Sequence, residues 1–261
     1  MNSKDNALWI LRGLIIAGAL TLWEVLSRNG VLDRSAFPPM STVVRTLVTL
    51  VRTSVFRTAM SQTLKGVGLA IVISFLISLP VGLFIGRSAF AQASSRLLVD
   101  FCQTIPAVAL IPLFVLVYGS TFKMKVFLAV AAAVWPILIQ TANGARNVDK
   151  VATDTLRAFQ VTGIQRVRYL LIPSASPYIM TGLRICAVLS LAMITSGELL
   201  GDAPGLGHQL GLAQSSAAIS LMWAYVVVVG ALGVTINAAF HSLEVRLLRW
   251  HPSHRETGRT E

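Results

Sequence analysis

Runs of about 20 apolar residues, separated by short polar breaks, recur along almost the whole chain. Such a run satisfies its own backbone as a helix, and in a bilayer it needs no polar partner on any face. The runs fall at Leu8–Leu26, Thr63–Gly86, Leu97–Tyr118, Val126–Thr141, Ser176–Leu200 and Ile219–Phe240. They predict an all-α polytopic membrane protein with about six transmembrane helices, as a single domain over 1–261. Composition agrees. Of 261 residues 54% are hydrophobic and only 13% charged, and the mean hydropathy is +0.70. One soluble core could not hide that much apolar surface, so a soluble enzyme, a disordered chain and a soluble nucleic-acid binder are all disfavoured.

The net charge of +11 is read as topology, because basic residues collect in cytoplasmic loops. Six spans put both termini on one side. The cytoplasmic choice places 13 basic residues inside and 7 outside, with Lys65 and Arg184 left within spans. The first run is longer than a signal-peptide core and no small-residue cleavage site follows it, so it is expected to stay as a helix. Residues 41–57 are too polar to span. Val44, Leu47, Val48, Val51 and Val55 recur at helical spacing, which predicts an interfacial amphipathic helix capped by Ser41 or Thr42. Gly82 and Gly86 make a GxxxG pair in the second run, a pattern that lets helices approach closely. Cys102 and Cys186 lie in apolar runs without metal-ligand spacing and are read as small buried hydrophobes.

The loop 143–173 carries the most information. Asp149, Thr153 and Asp154 stand where caps belong, and Val151, Thr155, Leu156, Phe159 and Val161 can form an apolar patch. A polar helical loop of this length is suited to docking a soluble partner. No phosphate-binding GxxxxGK[ST] motif occurs, nor HExxH, GxSxG or GxGxxG. No cofactor is expected on this chain.

The stretch from Asp154 to Pro173 resembles the EAA loop of ABC-importer permeases. Asp154, Thr155 and Leu156 fall at the EAA triplet, Gln160 at the usual glycine, and Ile172-Pro173 at the closing LP. Gly163, three residues on, is expected to take over the break that the missing glycine would make. Segments at Ala36–Val44, Gln103–Gly119, Pro173–Ile185 and Gly197–Leu210 resemble, in the same order, the nitrate, taurine and aliphatic-sulfonate branch of these permeases.

The resemblance implies an ABC type I importer permease fold in the inner membrane. It implies a permease homodimer that binds an ABC ATPase homodimer and is loaded by an extracytoplasmic solute-binding protein. ATP and Mg would sit on the ATPase. The ATPase would dock at residues 149–166, on Asp154, Thr155, Leu156, Arg157, Phe159, Gln160 and Gly163. Asp154 would cap the docking helix or pair with a basic residue of the partner. The solute would be a small polar or anionic one, of the sulfonate, taurine or nitrate class. A related branch carries thiamine-precursor-like or flavin-like molecules.

Within the spans, Gln103, Thr104, Ser190, Thr195, Ser196 and Glu198 are candidates for the substrate path, near helix breaks or carrying hydroxyls. Glu198 and Asp202 flank a Gly-rich outer loop, where they line a gate, contact the binding protein or simply meet water. Asp100 and Arg184 are a candidate membrane charge pair. Glu24 is expected to anchor the outer end of the first span. A stand-alone ion-coupled secondary transporter is the rival reading. A membrane enzyme is a weaker one, since His208, His241, His251 and His254 are scattered.

Overall fold

The structure, a computed structural model, describes residues 3–248 apart from 162, and the side chains of these except 3–10, 12, 150 and 157. The tail with His251 and His254 lies outside the described residues. The described chain is helical throughout. It runs α1 (Ser3–Arg28), α2 (Met40–Leu50), α3 (Ser54–Arg87), α4 (Ala89–Thr104), a 3₁₀ turn (Ala107–Leu110), α5 (Ile111–Tyr118), α6 (Phe122–Arg146), α7 (Lys150–Ala158) and α8 (Gly163–Arg166). A π-helical turn (Val167–Leu171) leads into α9 (Ile172–Leu200), followed by α10 (Leu206–Ser215) and α11 (Ile219–Leu247).

Among the described residues four continuous helices are long and apolar enough to cross a membrane: Ser54–Arg87, Phe122–Arg146, Gly163–Leu200 and Ile219–Leu247. A bent pair, Ala89–Thr104 with Ala107–Tyr118, makes a fifth at a 76° break. Pro106 has no N–H to continue α4, which ends at Thr104. Pro112 stands in the first turn of α5, where a missing N–H costs nothing. α1 is 26 residues long, about 39 Å at 1.5 Å per residue.

α3, α6 and α9 form the centre. Val67, Ala70, Val126, Ala129, Leu191 and Ile194 make one buried cluster, and Ala133, Ile137 and Cys186 continue it. The GxxxG pair is what lets α3 lie on α6. A Cβ at Gly86 would stand 2.4 Å from the Ala142 carbonyl oxygen, and one at Gly82 would stand 2.7 Å from Thr141 Cβ. Gly86→Ala is therefore expected to force the helices apart and to destabilise the fold by about 1–3 kcal/mol. Unfolding in detergent reads this, and a stability equal to wild type would show that the backbones yield freely.

Several boundaries move. The amphipathic helix predicted over 41–57 ends at Leu50, because the chain turns at 51–53 and Thr53 then caps α3 by accepting the Phe56 N–H at 3.2 Å. The residues from Ser54 on belong to the long α3. α2 lays Val43 and Leu50 against Ala224, Tyr225 and Val228 of α11, so it packs on the bundle.

Its cap is also corrected. α2 begins at Met40, without a cap from its own N-cap side chain. Glu24 of α1 takes that role, accepting the Ser41 N–H at 3.0 Å and the Ser41 hydroxyl at 2.8 Å while pairing with Arg28 at 2.6 Å. Trp23 and Trp223 meet edge to face at 4.7 Å and donate to the Pro38 and Ala36 carbonyls. α1, the loop before α2, and α11 are thus held at one end of the bundle.

The fifth predicted span begins well before Ser176. Helix runs without a break from Gly163 to Leu200, 38 residues, about 57 Å and longer than a hydrocarbon core of about 30 Å. One end must protrude. Pro177 leaves the Pro173 carbonyl without its helical N–H, and the Ser176 hydroxyl takes that place at 2.8 Å.

Candidate coupling segment, buried staple and cavity

The candidate coupling segment begins where α6 ends at Arg146. Asp149, not Asp154, starts α7: its Oδ1 accepts the Val151 N–H at 2.8 Å, as an N-cap side chain does. Asp154 sits mid-helix and does not cap it. Thr153 and Thr155 turn their hydroxyls back onto the Asp149 and Val151 carbonyls. The side chain of Arg157 lies outside the described residues.

α7 ends in a Schellman turn. The Val161 N–H reaches back to the Leu156 carbonyl at 2.9 Å, and Gln160 between them has φ +54°. Gln160 thus adopts the left-handed conformation that a glycine would supply at this position. The expectation that Gly163 takes over the break is corrected: Gly163 is left-handed too, at φ +59°, but it starts α8 instead. Left-handed backbone costs a β-carbon-bearing residue about 1–2 kcal/mol. Gln160→Gly is expected to stabilise α7 by about 1 kcal/mol, slowing amide exchange in α7 about fivefold. Unchanged exchange would show that the turn is unstrained.

What α7 and α8 present outward is apolar. Val151 is 72% exposed, Phe159 76% and Ile164 81%. Leu156 and Val161 are half-buried, and Thr155 and Gln160 are exposed. On a membrane span such exposure means lipid. Here α7 is short and polar around its apolar residues, and α8 is the first turn of the protruding 38-residue helix.

At the opposite end of α6 and α9 lies a group that the sequence did not predict. Lys125 and Glu198 are both fully buried and paired at 2.5 Å. All three ammonium donors of Lys125 are used, on Glu198 Oε1, the Pro204 carbonyl at 2.6 Å and the Gln62 carbonyl at 3.2 Å. Glu198 also accepts the Thr63 hydroxyl at 2.8 Å and the Gly207 N–H at 2.9 Å. Thr63 Oγ1 in turn accepts the Leu206 N–H at 3.0 Å. The carboxylate thereby caps α10, which has no cap from its own N-cap residue. A Cβ at Gly205 would collide with the carboxylate at 1.9 Å, so only glycine lets the chain pass.

Glu198 is accordingly a structural staple joining α3, α6, α9 and the 201–205 loop. It does not line an open path, and the gate reading for it is corrected. Its partner Lys125 is marked by no motif in the sequence. Asp202 stays exposed, with its Oδ1 2.8 Å from His208 Nδ1.

The Asp100–Arg184 pair does not form. Asp100 lies 3.8 Å from Arg96 and accepts from Gln103 Nε2 at 3.1 Å. Arg184 pairs with Glu244 at 3.1 Å. The reason is the length of α11, which runs to Leu247 and brings Glu244 onto α9.

The substrate-path candidates separate into two groups. Gln103 and Thr104 border a cavity of about 660 Å³ at the α4–α5 break, walled by Ile77, Trp135, Leu189 and Met193. No lining residue among those described is charged. Ser190, Thr195 and Ser196 do not line it. Ser190 is buried beside Cys186 Sγ at 3.8 Å. Thr195 and Ser196 bond carbonyls of their own helix, at Leu191 and Ala192, as hydroxyls in membrane helices commonly do. Cys102 is half-buried at the same cavity rather than in the core.

Residues 78–249, more than half of the chain, match the family described as binding-protein-dependent transport system inner membrane component. The chain belongs to this family. It is the permease subunit of an ABC importer, a multi-pass inner-membrane protein and not itself an enzyme. This decides against the stand-alone transporter and the membrane enzyme.

Among its relatives, the taurine transport system permease protein TauC of Escherichia coli (strain K12) is 25% identical over 90% of this chain and 88% of its own length. The formylaminopyrimidine transport permease protein ThiX of Halalkalibacterium halodurans is 30% identical over 88% of this chain and 92% of its own. The fold is that of an inward-facing crystal form of the MetNI methionine ABC transporter, at a TM-score of 0.63 over 73% of this chain and 94% of that one, with 21% identity. These agree with a type I importer permease fold.

Proposed function

We propose that this permease works as a homodimer, docks an ABC ATPase homodimer through residues 149–166, and passes a small polar or anionic solute delivered by an extracytoplasmic binding protein. ATP and Mg belong to the ATPase. α1 is the sixth span, and both termini and the coupling segment lie on the cytoplasmic side. The observation that carries the docking surface is the apolar group Val151, Phe159 and Ile164, exposed on the short polar α7, on the turn that ends it and on the first turn of the protruding 38-residue helix. Closure of the ATP-bound ATPase pulls on α7 and α8. The helix continuous from Gly163 to Leu200 carries that pull into the bundle, and the solute moves past the α4–α5 break.

The solute class is supported by kinship with TauC and by the uncharged cavity, whose Gln103, Thr104 and Trp135 offer hydrogen bonds. A second reading, a formylaminopyrimidine-like ring, is favoured by the 30% identity to ThiX and by the apolar walls beside Trp135.

The test is capture of the permease from its native membrane in mild detergent, with the ATPase assayed in nanodiscs. Wild type is expected to bring down an ATPase, and Asp154→Lys to lose it. Taurine, nitrate or an alkanesulfonate, supplied with the captured binding protein, is expected to stimulate hydrolysis. Stimulation by a formylaminopyrimidine alone would select the second reading, and capture of no ATPase would remove the docking proposal.

A further inference from the structure

At the coupling end of the bundle, α3, α6 and α8 each finish on an arginine: Arg87, Arg146 and Arg166. The three line one cavity of about 520 Å³, together with Thr153 of α7. Among its described lining residues none is acidic. None of the three arginines has an ion pair among the described residues, and Arg166 Nε is buried with no hydrogen-bond partner. A buried guanidinium N–H without an acceptor is uncommon and marks a place where a ligand oxygen belongs.

A second cavity of about 530 Å³ adjoins the first and shares Arg87 and Leu171 with it. Its other walls are mainly apolar, from Pro80, Leu83, Phe84 and Val167. Phe84 is 69% exposed on the outer face of α3. A basic hollow thus opens onto an apolar groove that runs up a membrane-spanning helix.

We infer that these two cavities together form a site for an anionic glycerophospholipid. The phosphate of its headgroup lies among Arg87, Arg146 and Arg166, and an acyl chain lies along Leu83, Phe84 and Leu171. The adjoining groove is what selects a lipid over a free phosphate ester, since a soluble anion has no use for it. Basic pockets between membrane helices on the cytoplasmic side are suited to such headgroups. Arg166 stands at the start of the π-helical turn, and Thr153 stands on α7. A headgroup held by both would therefore seat the coupling segment against the ends of α3 and α6. This rests on the reading that α7 and α8 face the inner membrane surface, while the test below needs no ATPase.

The test is native mass spectrometry of the full chain released from detergent, with phosphatidylglycerol or phosphatidylcholine of the same acyl chains added. Phosphatidylglycerol is expected to be retained in preference. Arg166→Gln and Arg87→Gln are each expected to lower its retention about fivefold, and the pair about 25-fold, in line with one basic contact each. Arg166→Lys, which keeps the charge but not the guanidinium N–H groups, should lose less than Arg166→Gln does, and such partial rescue shows that loss in the glutamine variant is not misfolding. Arg168→Gln, which changes an exposed charge outside the cavity, should leave retention unchanged.

Equal retention of the two lipids, or retention unaffected by the glutamine variants, would overturn the site. A loss as large with Arg168→Gln would reduce it to surface charge. Displacement of phosphatidylglycerol by equimolar glycerol phosphate would make the ligand a soluble anion. Loss of lipid with ATPase capture intact would leave the docking reading standing, and the reverse would leave the lipid site standing.

Discussion

Lys125→Met is expected to destabilise the permease by about 3–5 kcal/mol, the usual cost of removing one partner from a buried ion pair. The side chains are similar in length, so packing is nearly conserved and the change reads the charge. Three acceptors lose their donor at once: the Glu198 carboxylate and the Gln62 and Pro204 carbonyls. Glu198 keeps the Thr63 hydroxyl and the Gly207 N–H, too few to hold a carboxylate charge out of water. The double variant Lys125→Met/Glu198→Leu is expected to be more stable than the single one, by about 1–3 kcal/mol, because no uncompensated charge remains. It should not return to wild type, since the Gly207 and Leu206 N–H groups then lack the carboxylate that orders Thr63 and caps α10. Reversible unfolding in mixed detergent measures all three proteins. A single variant as stable as wild type would show that the pair contributes nothing, and a double variant weaker than the single one would show that the lost hydrogen bonds, not the stranded charge, dominate.

That staple was invisible in the sequence for a plain reason. Lys123 and Lys125 stand two residues apart in a short polar break, and nothing local tells the exposed one from the buried one. The difference is made by Glu198, 73 residues away, which only the antiparallel packing of α6 and α9 delivers. Arg184 shows the same limit. Its partner, Glu244, lies beyond the last apolar run, which stops at Phe240, because hydropathy fades along α11 before the helix ends at Leu247. Features fixed by neighbours in the chain were legible: the apolar runs and their order, the GxxxG contact, and the helical character of the 143–173 loop. Gln160 lies between these cases. Its alignment with a glycine pointed to a left-handed turn, but whether the chain would keep that turn with a glutamine or move it to Gly163 depended on the Val161–Leu156 hydrogen bond.

Phe159→Ala is expected to weaken ATPase binding at least 30-fold, and up to about 1000-fold, while leaving the permease folded. Phe159 is 76% exposed, so truncation removes little packing within the chain and stability should change by less than about 0.5 kcal/mol. In a docked complex the same ring would be an aromatic anchor in a pocket, where truncation commonly costs about 2–4 kcal/mol. It lies one residue before Gln160, so the Schellman turn fixes the direction in which the ring leaves α7. Gln160→Gly, which relaxes that turn without touching the ring, should therefore change affinity far less than Phe159→Ala does. Thr155→Ala, also exposed on α7 but small and hydroxylic, should change it least. Titration of the purified ATPase onto permease in nanodiscs reads all three. If Phe159→Ala and Thr155→Ala lower affinity equally, the contact is spread along α7 and no single anchor exists. If neither lowers it, the ATPase docks elsewhere, and the apolar surface of α7 and α8 must be covered by some other part of the assembly.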